Sequence, residues 1–180
     1  KVTIVKCHPL ADGLLATVGQ DHLVKVGVPH VLTYHHLSRM SQIWQLTDSE
    51  YSEEVALTGH EDQVYSLAWS QCGRYIATAC KDGKKGQNIE SNNKLVILYL
   101  KQIYDPRKST EPLKEGGNII PKKGARIIWT NDNKFLLVTG FTKDSQRLIN
   151  LYSSQDLKQV ASTDLDVSPA ILVPFYDEVR

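Results

Sequence analysis

The residue types that could do chemistry in this chain fall into four groups. His30, His35 and His36 lie close together, as metal ligands would. Neighbouring histidines on one loop rarely converge, however, and no acid or cysteine completes a ligand set beside them. His60 is the second candidate, as a general base or a lone ligand. It sits in a Gly-His pair at the head of a strand pattern, where a structural role is the simpler reading. Cys7, Cys72 and Cys80 form the third group. They are scattered, odd in number and without CxxC spacing, so they suit neither a disulfide framework nor a zinc cluster, and fit a reducing cytosol. The fourth group is basic. Between Lys101 and Arg126, the cations Lys101, Arg107, Lys108, Lys114, Lys122, Lys123 and Arg126 outnumber the acids Asp105, Glu111 and Glu115. Such a stretch is either a solvated loop or an electrostatic contact for an acidic partner such as a filament or a lipid surface. No nucleophile elbow, phosphate loop or HExxH pattern accompanies these groups. The expectation is a non-enzyme without catalytic, cofactor-binding or metal-binding residues and without a cofactor.

The elements that position these residues are strands. Gly59 to Lys84 reads GHEDQVYSLAWSQCGRYIATACKDGK. Val64 to Trp69 alternates between two faces, as a strand requires. Ser70 to Gly73 supplies turn chemistry, Arg74 to Cys80 is a second strand, and Lys81-Asp82-Gly83-Lys84 is a hairpin signal. The same pair of strands occurs twice more. Leu14 to Asp21 matches Tyr75 to Asp82, and Phe135 to Gly140 is a third copy, each preceded by a strand: Val2 to Pro9, Val64 to Ser70, and Arg126 to Thr130. Trp44, Trp69 and Trp129 recur in strand patterns, which suits core or seam packing better than a ligand cage. Gln42 to Thr47 reads as the fourth strand of the first copy, Asp48 to Asp62 as an acidic solvated loop, and Pro106 to Lys123 as a polar connector.

Repeats of this kind are read before anything else. The Gly-His to Asp layout resembles a WD repeat, the four-stranded blade of a β-propeller. The resemblance makes His60, Thr78, Asp82 and Asp21 structural blade anchors. The fold class expected is all-β: a fragment of a WD40-type propeller with three to four four-stranded blades. The blades fall at about 1–58, 59–120 and 121–163, with the start of the next at 164–180. Leu14 and Tyr75 stand 61 positions apart, and Tyr75 and Phe135 stand 60 apart. A blade takes about 40–45 residues, so two irregular insertions are expected, at 27–36 and 85–102. The first displaces the expected Trp-Asp pair. In the second repeat, Tyr104-Asp105 stands in its place. Net charge is +1, which gives no global field for nucleic acid. No apolar run is long enough for a transmembrane segment.

Further stretches narrow the resemblance. Ser66-Leu67-Ala68-Trp69-Ser70, Asp105-Pro106-Arg107, Gly140-Phe141, Gln146-Arg147 and Leu172-Val173-Pro174-Phe175-Tyr176-Asp177 are similar to blades of the coronins. Lys122-Lys123-Gly124-Ala125-Arg126 is most similar to the long coronins with two propellers in tandem, the coronin seven or Pod type. The resemblance implies a cytoplasmic, cytoskeleton-associated scaffold that binds actin filaments. The alternative it implies is a scaffold for Golgi and endosomal traffic or for ubiquitin-ligase assembly, at the Golgi or vesicle periphery, without direct actin binding. The amino-terminal blade that carries a basic actin contact in the family has no counterpart here, so no actin-contact residue is carried over.

Overall fold

The computed structural model describes residues 1–12, 14–21, 23–28, 52–60, 62–81, 99–119, 124–142 and 144–177. Among them the chain forms twelve strands and no helix. β1 (Val2–Cys7), β2 (Leu15–Gly19), β3 (Val24–Val28) and β4 (Ser52–Leu57) make the first sheet. β5 (Val64–Trp69), β6 (Ile76–Cys80), β7 (Tyr99–Tyr104) and β8 (Lys114–Ile119) make the second. β9 (Arg126–Thr130), β10 (Phe135–Phe141), β11 (Gln146–Ser153) and β12 (Gln159–Val167) make the third. Each sheet is an antiparallel meander whose spatial order is its chain order.

The three sheets stack on one another through two apolar layers. Val18, Val24, Leu57, Val64, Leu67, Ile76 and Tyr104 fill the first. Ala68, Ala77, Ala79, Ile103, Ile127, Trp129, Leu136 and Tyr152 fill the second. β6 shows why its sequence reads as it does. Ile76 and Cys80 point to the first layer, and Ala77 and Ala79 to the second. Both faces are covered, so the strand is buried throughout and carries no charge. Small residues on the second side leave room for Trp129. Burying a side chain the size of Ile76 is worth about 1.5–3 kcal/mol.

Register makes the repeat explicit. Trp69 pairs with Ile76 and Ile76 with Tyr104; Trp129 pairs with Leu136 and Leu136 with Tyr152. In the first sheet the corresponding partner of Leu15 is Gly27. The first repeat thus has no aromatic ring where the other two have tyrosine, as the missing Trp-Asp pair foretold.

Several expectations need correction. The fourth strand of the first sheet is Ser52–Leu57, inside the stretch read as acidic loop, while Gln42 to Thr47 and Trp44 lie outside the described residues. An outer strand is paired on one side only and half faces water, so an acidic stretch of sequence is compatible with one. β8, Lys114–Ile119, likewise occupies what read as connector. Gly27 and Val28 continue β3, and Tyr99 to Gln102 open β7, so the irregular stretches 27–36 and 85–102 are shorter on those sides. β12 runs to Val167, so 164–167 belong to the third sheet and not to a further blade. Beyond it, residues 168–177 form no strand. That segment returns to the third sheet, where Thr139 Oγ1 donates to the Leu172 carbonyl at 2.6 Å.

Candidate functional site: a buried His60 network and the exposed cations

His60 is placed by the short crossing from β4 to β5. Gly59, at φ +104°, turns the chain in a conformation that favours glycine. His60 then packs over the second sheet, 8% exposed. Its Nε2 lies 3.0 Å from Thr78 Oγ1 and 3.3 Å from the Tyr104 hydroxyl. That hydroxyl faces two acceptors, Gln102 Oε1 at 2.5 Å and the Thr58 carbonyl at 2.8 Å. Gln102 Nε2 donates to the Gly59 carbonyl and to Glu115 Oε1, at 3.2 and 3.0 Å. The network therefore ties the crossing segment to β6, β7 and β8.

A histidine beside a threonine hydroxyl has the composition of a base and a nucleophile. Its burial points elsewhere. Thr78, Gln102 and Tyr104 are each fully buried, so no substrate carbonyl or phosphate reaches the hydroxyl. What the arrangement can do is satisfy buried polar groups and fix one geometry. Asp82 lies outside the described residues. Asp21, in the β2–β3 turn, has both carboxylate oxygens buried without a hydrogen-bond partner among the described residues. Of the proposed anchors, then, the structure brings together His60 and Thr78. It adds Gln102 and Tyr104, which sequence reasoning did not connect to His60. Gln102 and Tyr104 are two residues apart in β7, hence on one face, and that alternation was the available signal. Lys25 and Asn150 hold the strand position of Gln102 in the other two sheets, and both are buried.

The described cations of the basic stretch are spread over a turn, an outer strand and an inner strand. Arg107 sits in the β7–β8 turn, where its Nε donates to the buried Asp105 carboxylate at 3.2 Å. The neighbouring Lys108 is exposed. Lys114 opens β8 and reaches the third sheet, donating to the Ser154 carbonyl at 3.0 Å. Arg126 is on the inner strand β9, with its guanidinium on the carbonyls of Tyr65 and Ala125. Lys101 falls in β7, and Lys122 and Lys123 lie outside the described residues. Of the histidines that suggested a metal, His30, His35 and His36, none is among the described residues, and those residues contain no cluster able to hold a metal ion. The three cysteines are free thiols, two exposed and Cys80 buried. No helix among the described residues is long and apolar enough to cross a membrane.

The seams between sheets repeat. Trp69 donates its indole N–H to the Lys6 carbonyl at 3.2 Å, and Trp129 donates to the Ala68 carbonyl at 3.0 Å. Trp69 and Trp129, 60 positions apart, thus do the same job at the two successive seams. Comparison with known proteins agrees with that architecture. Residues 52–84 match the family model described as WD domain, G-beta repeat, which begins with β4 and so straddles two sheets. The chain is 36% identical over 179 residues to Coronin-7 of Bos taurus and 35% to Coronin-7 of Homo sapiens, each alignment covering 98% of this chain. This chain belongs to the coronin family. It spans 16% of the length of those Coronin-7 relatives. Against Coronin-2A of Bos taurus the identity is 28%, over 98% of this chain and 28% of that one. The coronin likeness is thus stronger toward the Coronin-7 type. Among solved structures, the WD40 domain of Toxoplasma gondii coronin superposes with a TM-score of 0.70 at 19% identity, covering 98% of this chain and 37% of that one. That likeness fixes the fold of this coronin segment as propeller blades.

Proposed function

We propose that this coronin chain is part of a non-enzymatic scaffold that binds actin filaments and organises the actin cytoskeleton. The observation that carries the reading is the family likeness, which runs across 98% of the chain at 36% identity and so includes loops as well as core. His60, Thr78, Asp82 and Asp21 then act as blade anchors that hold the sheets rigid, while turns such as that of Arg107 and Lys108 present charge to an acidic filament. Affinity built this way weakens with salt. The stronger likeness to Coronin-7 than to Coronin-2A favours a second reading, a Golgi or endosomal trafficking or ubiquitin-ligase scaffold without direct actin contact. Co-sedimentation of the full-length protein with F-actin, at low and moderate salt, separates the two. Salt-sensitive pelleting supports the cytoskeletal reading. A folded protein that stays in the supernatant at both salts overturns it in favour of the trafficking scaffold.

A further inference from the structure

We propose that Thr110, on the turn between β7 and β8, is the acceptor site of a protein kinase that selects arginine three residues before its target. Arg107-Lys108-Ser109-Thr110 sets cations three and two positions ahead of the Thr110 hydroxyl. Arg107 is the one arginine of the sequence with a hydroxyl residue three positions on. Kinases with an acidic substrate cleft read charge patterns of this kind. The turn belongs to the second sheet, which the first and third sheets flank, so its exposure is not that of an uncovered sheet face.

The fold presents Thr110 backbone inward and side chain outward. Its carbonyl accepts the Thr58 N–H at 2.8 Å and the Thr58 hydroxyl at 3.3 Å, which pins the turn against the segment leading to His60. Thr110 itself is exposed, and its hydroxyl makes no hydrogen bond among the described residues. Ser109 is the poorer acceptor, because it is half-buried and its Oγ already receives the Glu111 N–H at 3.0 Å. Both cations are within a kinase's reach. The Arg107 side chain is 60% exposed, with Asp105 on one edge of its guanidinium at 3.2 Å, and Lys108 is exposed. The Lys108 and Ser109 N–H groups bond to the Asp105 carbonyl at 3.0 and 3.2 Å. These bonds lie within the turn, so a local opening extends the segment while the sheet stays paired.

In the transfer, Thr110 Oγ bonds to the γ-phosphorus of ATP and the bond from that phosphorus to the β-phosphate oxygen breaks. ADP leaves, and the hydroxyl proton passes to the kinase's catalytic carboxylate. The phosphate adds a negative charge of about 1.5–2 at neutral pH to the turn that carries Lys108. An acidic partner held by that turn is then repelled. This consequence rests on the scaffold reading; the modification itself does not.

The test uses the folded full-length protein with MgATP and the catalytic subunit of cyclic-AMP-dependent protein kinase as an arginine-directed probe. Mass spectrometry of the peptides locates the phosphate. Phosphate is expected on Thr110, and Ser109→Ala should leave its rate of appearance unchanged. Arg107→Gln should slow the transfer about tenfold. Arg107 also bonds the buried Asp105, so Lys108→Gln, at an exposed side chain, serves as the second variant and should slow it about threefold. Thr110 left unmodified in the folded protein, modified only after heat denaturation, or modified at the parent rate in both cation variants overturns the proposal. Actin pelleting reports separately: a protein that takes phosphate on Thr110 and ignores filaments keeps this inference and loses the cytoskeletal one.

Discussion

The indole of Trp129 donates across a sheet boundary to the carbonyl of Ala68 at 3.0 Å. Around it the same seam is sewn by Ile127 N–H on Ser66 Oγ and by Gln71 N–H on Asn133 Oδ1. Trp129 is 5% exposed and fills the layer between the second and third sheets. Trp129→Phe keeps most of the apolar volume and removes the donor to the Ala68 carbonyl. The expected loss is about 0.5–1.5 kcal/mol. Trp129→Ala also opens a cavity and should cost about 3–5 kcal/mol. Urea unfolding of the full-length protein measures both. A Phe variant as stable as the parent would show that the indole bond contributes nothing.

Tyr104 is the residue on which the His60 network turns. Tyr104→Phe removes the hydroxyl that faces the Thr58 carbonyl, Gln102 Oε1 and His60 Nε2. It should cost about 1–3 kcal/mol, because Gln102 and His60 stay buried. Thr78→Val removes the hydroxyl beside His60 Nε2 and should cost a similar amount. If the two act through one network, the double variant costs less than the two single losses combined, by about 0.5–3 kcal/mol. Strict additivity in thermal or urea unfolding would separate them into independent bonds.

These two sites differ in how far the sequence revealed them. The tryptophans were visible as periodic strand residues, and the seam positions follow from the same repeat. A middle strand covered on both sides has an apolar pattern imposed by burial that sequence alone displays, as at Ile76 to Cys80. Outer strands escape that constraint. β12 is exposed along its whole length, and β4 and β8 carry glutamates, lysine and glycines, so they read as loops. The His60 network was half legible. His60 and Thr78 lie on one continuous motif, but Gln102 and Tyr104 reach them from across a long intervening stretch, where only their alternation within β7 marked a shared face. The basic interval between Lys101 and Arg126 was legible as a charge excess but not as a layout: it crosses from β7 through the outer strand β8 to the inner strand β9, so its described cations Arg107, Lys108, Lys114 and Arg126 are spread over a turn, β8 and β9.

Gly73 and His8 make a second testable pair at the seam of the first two sheets. Gly73 has φ +66°, and a Cβ there would lie 2.1 Å from His8 Cε1. His8 Nδ1 accepts the backbone N–H groups of Leu10 and Ala11, so Nε2 carries the proton and donates to the Gly73 carbonyl at 2.9 Å. Gly73→Ala therefore combines left-handed strain of about 1–2 kcal/mol with a clash against a ring that packs edge-on to Trp69. His8→Ala makes room. In that background Gly73→Ala should cost less, with a coupling of about 0.5–3 kcal/mol. Equal cost in both backgrounds, read by urea unfolding, would place the whole penalty in the backbone.

Tyr152 gives the chain a predicted alkaline dependence. It is buried in the layer between the second and third sheets, and desolvation pushes its hydroxyl up to about 12 against an ordinary value of 10.0, with the Asn150 side chain working in the other direction. Burial disfavours the phenolate, so the folded state holds the proton more tightly than the unfolded chain does. Below about pH 10 both states are neutral at this position, and its contribution to stability is fully present. As pH rises from about 10 towards 12, the unfolded state loses the proton first, and stability falls across that window. Other tyrosines titrate in the same range, so the difference between parent and Tyr152→Phe isolates the effect. Urea midpoints taken in steps across the window should fall less steeply for Tyr152→Phe than for the parent protein. Parallel slopes would mean that the Tyr152 phenolate forms in the folded state as readily as in the unfolded one.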